Sequence, residues 1–256
     1  MSQALIRPRT PIAPLLREPR ASATQESQVL YGHVVELLAA EGPWQRVRCA
    51  DGYEGWMHEG YTVAAEVGET AEGGWATPGE LSLGCGLRDS AGATMDLPLG
   101  AVIREGRCVS GRAMELAARR DVFPREADAI VASAMGLFQG TYYQWGGITP
   151  WGADCSGFVQ SVFALHGVPL LRDAYQQATQ GVHVDGGVEA IHPADLLFFS
   201  ERADDHITHV ALVISSSRIV HVAVGRGGHC VDRLSSPDDY VAALMGRFRF
   251  ARRIIG

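Results

Sequence analysis

The 256-residue chain contains neither lysine nor asparagine, so all 22 of its basic residues are arginine. Both missing residues are encoded by AT-rich codons, and their joint absence points to a GC-rich, bacterial genome. The missing asparagine also has a chemical consequence. A Cys-His-Asn catalytic set cannot be built, so any thiol nucleophile here needs a different third member. Cysteine is scarce as well. Cys49, Cys85, Cys108, Cys155 and Cys230 are odd in number, widely spaced and free of any Cys-x-x-Cys pair, which argues against a disulfide framework or a zinc ribbon. No apolar run approaches the ~20 residues of a membrane span. Met1 to Arg20 carries Pro8, Pro11, Pro14 and Pro19 and lacks the apolar centre of a secretory signal, so a soluble cytoplasmic protein is expected. The net charge is −7, and basic residues are no denser than the pairs Arg119-Arg120 and Arg252-Arg253. Neither a nucleic acid nor a membrane is therefore an expected partner, and a small molecule is.

The pattern along the chain suggests an α+β layout in three parts: residues 1–68, 69–122 and 123–256. Residues 1 to about 22 read as an extended arm. Short strands follow around Val29–Tyr31, Val34–Leu38, Trp44–Cys49 and Gly55–Met57, separated by Glu41-Gly42-Pro43 and Asp51-Gly52 turns, as in a small antiparallel barrel. A Gly- and Glu-rich connection over 66–80 marks a boundary. Residues 80–122 give a weaker β set, of which 113–121 could equally be a helix. A helix over Glu126–Phe138, with Ile130, Val131, Met135 and Leu137 inward, opens the last part, and strands at 195–199, 209–214, 218–224 and 230–233 follow.

The richest stretch runs from Tyr143 to Gln160. A Gly- and Pro-rich approach ends at Asp154, and an apolar periodic run begins immediately after it, with Phe158, Val159, Val162, Phe163 and Leu165 on one face. Cys155 therefore falls in the first turn of a helix, whose unpaired amides favour thiolate. It is either a nucleophile or a small core residue. A nucleophile needs a base and something to orient it. Of the nine histidines, seven stand beside turns or on exposed faces. His209 and His221 instead lie inside apolar strands, where an unpartnered ring would be destabilising. Ser215 to Ser217 join those strands. An odd loop puts both rings on one face; a two-residue loop puts them on opposite faces. No metal-binding spacing is present, and no cofactor is expected.

These residues resemble the NlpC-type peptidases, bacterial papain-like enzymes that cut peptidoglycan stem peptides. The likeness spans about 126–256 and rests on Tyr143, Trp145-Gly146-Gly147, Asp154-Cys155-Ser156-Gly157-Phe158-Val159-Gln160, Arg172 with Gln177, Ala194-Asp195-Leu196, Thr208-His209-Val210 and Val220-His221-Val222. It implies a papain-like domain with Cys155 as nucleophile, His209 as base and His221 orienting it. The sequence Asp51-Gly52-Tyr53-Glu54-Gly55-Trp56 resembles bacterial SH3-like domains, and 80–122 would be a second, degenerate one. Two small SH3-like β-barrels before such a domain resemble the γ-D-glutamyl-L-diamino acid endopeptidases of muropeptide recycling. That subgroup implies a free N-terminal L-Ala on the muropeptide and a substrate pocket of Tyr143, Asp154 and Ser156, with Glu26 and Tyr53 from the first barrel. The alternatives are an exported wall endopeptidase and a non-catalytic muropeptide-binding module.

Overall fold

The computed structural model describes residues 4–66, 68–71, 79–204 and 206–256, and the chain divides into two compact units, 1–119 and 120–256. Much of the connection expected at 66–80 lies outside the described residues.

In the N-terminal unit, seven strands form an antiparallel sheet. Its order is Gln25–Leu30, Ile12–Leu16, Glu54–His58, Trp44–Arg48, Val35–Glu41, Leu5–Pro8 and Thr62–Ala64. Val29 comes from one edge of this sheet and Ile6 from near the other, yet both belong to one buried cluster with Ala13, Leu15, Val35, Val47 and Met57. A sheet can do this only by curling on itself, as a small barrel does. The expected N-terminal arm is thus a correction: Leu5–Pro8 and Ile12–Leu16 are strands of the sheet. Proline hides the alternation. Ala13 and Leu15 point into the core, and Pro14 sits where Ile12–Leu16 has a continuous ladder on one side only, since Glu54–His58 meets it at Leu16 alone.

The same unit holds a second antiparallel sheet of four strands. Glu80–Arg88 lies at its centre, paired with Thr94–Leu97, Val102–Ile103 and Arg107–Glu115. Among the described residues this pairing stays open. The ambiguous stretch 113–121 divides, with strand to Glu115 and a helical turn at Arg119–Val122.

The C-terminal unit packs helices on a six-stranded antiparallel sheet, ordered Val182–His183, Phe248–Arg253, Leu196–Phe199, His209–Ser215, Arg218–Ala223, Gly228–Arg233. The α+β class read from the sequence is present. Leu196–Phe199, His209–Ser215 and Arg218–Ala223 are covered on both faces, which is why they read as apolar runs rather than as alternation. One face carries Leu197, Phe199, Ala211, Val213 and Ile219, closed by Leu244 of the helix Asp239–Gly246. The helix Cys155–Leu165 lies against His209–Ser215 and Arg218–Ala223 and buries Phe158, Val159, Val162, Phe163 and Leu165. Phe158 meets Phe138 edge-on, with ring centroids 5.1 Å apart. The helix Ala127–Leu137 buries Ile130 as expected, but Ser133 and Ala134 in place of Val131, Met135 and Leu137, so its inward stripe is rotated. Strand Phe248–Arg253 was not anticipated; its Arg253 pairs with Asp195, at 2.8 Å to each carboxylate oxygen.

Phe158 is fully buried, so Phe158→Ala should remove about 3–5 kcal/mol from the stability of this unit. Urea unfolding followed by a probe in residues 120–256 measures it; a loss below about 1 kcal/mol would contradict this packing.

Candidate active site

Asp154 builds the start of the Cys155 helix. Its backbone is extended, and its side chain caps the helix by accepting from the Gly157 amide at 2.7 Å. The same carboxylate accepts from the Gly146 amide (2.9 Å), the Ser156 hydroxyl (3.2 Å) and both terminal nitrogens of Arg172 (3.1 and 2.7 Å). Arg172 is itself buried and also donates to Ser156 Oγ at 3.0 Å. A bidentate pair of this kind is stable in the interior because each charge neutralises the other. Gln177, fully buried, donates to the Ser156 and Leu171 carbonyls at 3.0 and 2.9 Å. Gly157 has to be glycine, since a Cβ there would overlap the Gly147 carbonyl oxygen. Ala194 has φ +68°, a left-handed conformation at the start of the Asp195 turn that favours glycine.

The arrangement fixes Cys155 but does not ionise it. Its side is 8% exposed, and burial pushes the thiol up to about 12, with the Asp154 carboxylate as the next cause. Amides of Val210 and Ser156 donate toward the sulfur, and these, with Arg172, oppose the rise. The thiolate expected from the helix terminus is therefore not the resting form: desolvation outweighs the terminus. The Val210 amide holds the sulfur against the start of strand His209–Ser215.

His209 and His221 do share a face, but through a different device from the odd loop. The hairpin loop has two residues, with Ser215 opposite Arg218, and a bulge between Val213 and Ser215 restores the register to Val213–Ile219 and Leu212–Val220. Continued by one residue, this sets Ala211 against His221. His209 Nε2 and His221 Nδ1 lie 2.7 Å apart, and His221 Nε2 is 3.0 Å from Asp232 Oδ2. The His221 hydrogen bond, followed by Arg226, holds Asp232 below the usual carboxylate range against its burial. An ionised carboxylate only accepts, so His221 Nε2 carries the proton. Since His221 Nε2 holds a proton, its Nδ1 can accept from His209 Nε2, an arrangement that leaves the His209 Nδ1 lone pair to take a proton. Burial, then His221 and Arg247, hold His209 well below its ordinary value, so it is neutral at rest.

Asp232 and Arg226 were not singled out from sequence, although the hairpin register carries the signal. His221 pairs directly with Cys230, and Asp232 lies two residues on, hence on the same face. Arg226 donates to Asp232 Oδ1 at 2.8 Å and to Asp238 at 3.2 Å, and its guanidinium stacks 4.4 Å over the Tyr240 ring.

Tyr143 belongs to the same neighbourhood. Burial raises its phenol above the ordinary range and the charge of Cys155 adds to this, so the hydroxyl stays protonated. Ser156 is buried within the Asp154–Arg172 network. Glu26 and Tyr53 belong to the N-terminal unit. Glu26 pairs with Arg17 at 2.8 Å, and Tyr53 packs against the barrel core. His166, expected at an exposed position, is buried, with its ring nitrogens 2.6 Å from the Pro124 carbonyl and 2.9 Å from Ser133 Oγ.

The NlpC/P60 family model matches residues 140–241, the span that holds Tyr143, Asp154, Cys155, Arg172, His209, His221 and Asp232. A "Probable endopeptidase" of Haemophilus influenzae is 32% identical over 115 residues, which is 44% of this chain and 70% of that protein. The chain belongs to the NlpC/P60 family. A model for the bacterial dipeptidyl-peptidase SH3 domain matches residues 15–60, within the first barrel. A Bacillus subtilis protein named gamma-D-glutamyl-L-lysine dipeptidyl-peptidase is 27% identical over 216 residues, 77% of this chain and 71% of its own length. The crystal structure of an NlpC/P60 family protein from Bacillus cereus superposes with a TM-score of 0.79 at 19% identity, covering 98% of this chain and all of that one, and shows the shared fold. The NlpC/P60 domain of this chain thus follows an SH3 domain, as the sequence suggested.

A raised thiol pKa means that deprotonation of Cys155 is incomplete throughout the neutral range. Alkylation of Cys155 by iodoacetamide, read on its tryptic peptide by mass spectrometry, should climb about tenfold per pH unit from pH 7 to pH 10. A plateau near neutrality would mean a preformed thiolate.

Proposed function

We propose that the chain is a cysteine-type γ-D-glutamyl-L-diamino acid endopeptidase acting on muropeptides with a free N-terminal L-Ala, in cytoplasmic cell-wall recycling. The single observation that carries this reading is the pairing, in one chain, of an NlpC/P60 match with a dipeptidyl-peptidase SH3 match. The long alignment with a dipeptidyl-peptidase supports it.

In this reading Cys155 attacks the γ-carbonyl of D-Glu as His209 Nδ1 takes the thiol proton. A neutral thiol beside a neutral imidazole, each held so by burial, makes His209 a general base in the attack. The resulting imidazolium is stabilised through His221 by the Asp232 carboxylate. His209 then gives its proton to the departing amine of the diamino acid, and water hydrolyses the thioester with His209 again as base. The Cys155 amide at the helix start and the protonated Tyr143 hydroxyl are the donors proposed for the oxyanion. Asp154 and Ser156 in the C-terminal unit, and Glu26 and Tyr53 in the N-terminal unit, are the residues proposed for recognition of the substrate. No cofactor takes part.

Digestion of L-Ala-γ-D-Glu-diaminopimelate beside its N-acetylated twin, followed by mass spectrometry, tests the proposal. Cleavage of the free-amine peptide alone is expected, and its loss, by at least about 10³-fold, in Cys155→Ala. Equal cleavage of both peptides would favour a wall-directed endopeptidase; cleavage of neither would favour a binding module.

A further inference from the structure

Behind His221, away from the base, the paired strands gather a second set of ligand atoms. His221 and Cys230 are direct cross-strand partners, and Asp232 is two residues along on the same face. Nε2 of His221, Sγ of Cys230 and a carboxylate oxygen of Asp232 all lie within 4.8 Å of one another. Asp232 Oδ2 is 3.0 Å from the imidazole nitrogen and 3.9 Å from the sulfur. Tetrahedral zinc with one nitrogen, one sulfur and one oxygen ligand needs separations of roughly 3.3–3.7 Å between donors. The His221–Cys230 separation reaches up to 4.8 Å, so closing the set takes a swing of the Cys230 side chain toward the imidazole as well as a small shift of Asp232. The donors, imidazole, thiolate and carboxylate, are those that zinc prefers. Cys230 has no part in the proposed peptidase chemistry, and because it is only half-buried it gives the site an opening to solvent.

We propose that His221, Cys230 and Asp232 form an inhibitory site for a thiophilic divalent cation of the zinc type, with water as fourth ligand. Binding there reverses the hydrogen bonds that set the base. The metal takes the Nε2 lone pair of His221, so the proton of that imidazole must sit on Nδ1. Nδ1 then donates to His209 Nε2, and His209 must carry its own proton on Nδ1, toward Cys155. Each imidazole stays neutral with its proton relocated, and the Cys230 thiol proton leaves to solvent as the metal–sulfur bond forms. His209 can no longer accept from the nucleophile. Arg226 keeps its 2.8 Å bond to Asp232 Oδ1, and the metal at Oδ2 displaces only the longer 3.4 Å contact from Arg226 Nε.

The binding stands on the geometry alone; the inhibition rests on the peptidase reading. The test therefore has two arms. Full-length Cys155→Ala, which removes the nucleophilic thiol as a competing ligand, is titrated with ZnCl2 by calorimetry and with CoCl2 by absorption. One zinc per chain and a thiolate-to-cobalt charge-transfer band are expected, with the band lost and zinc affinity reduced at least about tenfold in Cys155→Ala/Cys230→Ala. No saturable zinc binding, or binding unchanged by Cys230→Ala, would overturn the site. In the second arm, each of wild type and Cys230→Ala is compared with its own metal-free rate. Zinc should inhibit the wild type at concentrations at least about tenfold lower; equal sensitivity would overturn the inhibitory role.

Discussion

The direction of the hydrogen bonds from Asp232 to His221 to His209 is the constraint on which the rest depends. A carboxylate held ionised by His221 and Arg226 can only accept, and this fixes a proton on His221 Nε2 and turns its Nδ1 toward His209. The fold supplies the spacing through paired strands. A two-residue turn would by itself place the two rings on opposite faces, and the bulge at the end of strand His209–Ser215 corrects it. The helix start is held by the same kind of closure. Asp154 takes five donors on two oxygens, drawn from the turn before the helix, its first residues and a distant buried arginine. Cys155 and His209, the proposed nucleophile and base, are therefore positioned by separate networks.

Burial gives this site its protonation pattern. Desolvation raises a thiol and lowers an imidazole, and both shifts favour the neutral pair. In the proposed reaction, ionisation is then coupled to attack on the substrate carbonyl. The helix terminus still contributes, through the Ser156 amide at the sulfur, but it acts against a larger burial effect.

Much of this was legible in the sequence because the decisive residues are local. Asp154, Cys155 and the apolar stripe after them specify a capped helix, and the embedded histidines stand out from their apolar strands. What was not legible depends on pairing between distant segments. The strand Leu5–Pro8 was hidden by prolines, and Phe248–Arg253 by arginines that pair with Asp195 and with backbone rather than with solvent. Asp232 reads as an ordinary hairpin acid until the register sets it against His221. The anionic network around Asp154 needed Arg172, eighteen residues away, to become visible.

The central claim is the direction of that hydrogen-bond chain, and the most direct measurement of it is the protonation of the imidazole nitrogens. A long-range proton–nitrogen NMR spectrum of ¹⁵N-histidine-labelled protein at neutral pH, assigned with His209 and His221 variants, reads each tautomer. The account predicts a proton on Nε2 of His221, and a neutral His209 with its proton on Nε2. A proton on Nδ1 of either neutral ring would contradict it, because the chain would then point away from Asp232 and His209 would have no lone pair for the thiol.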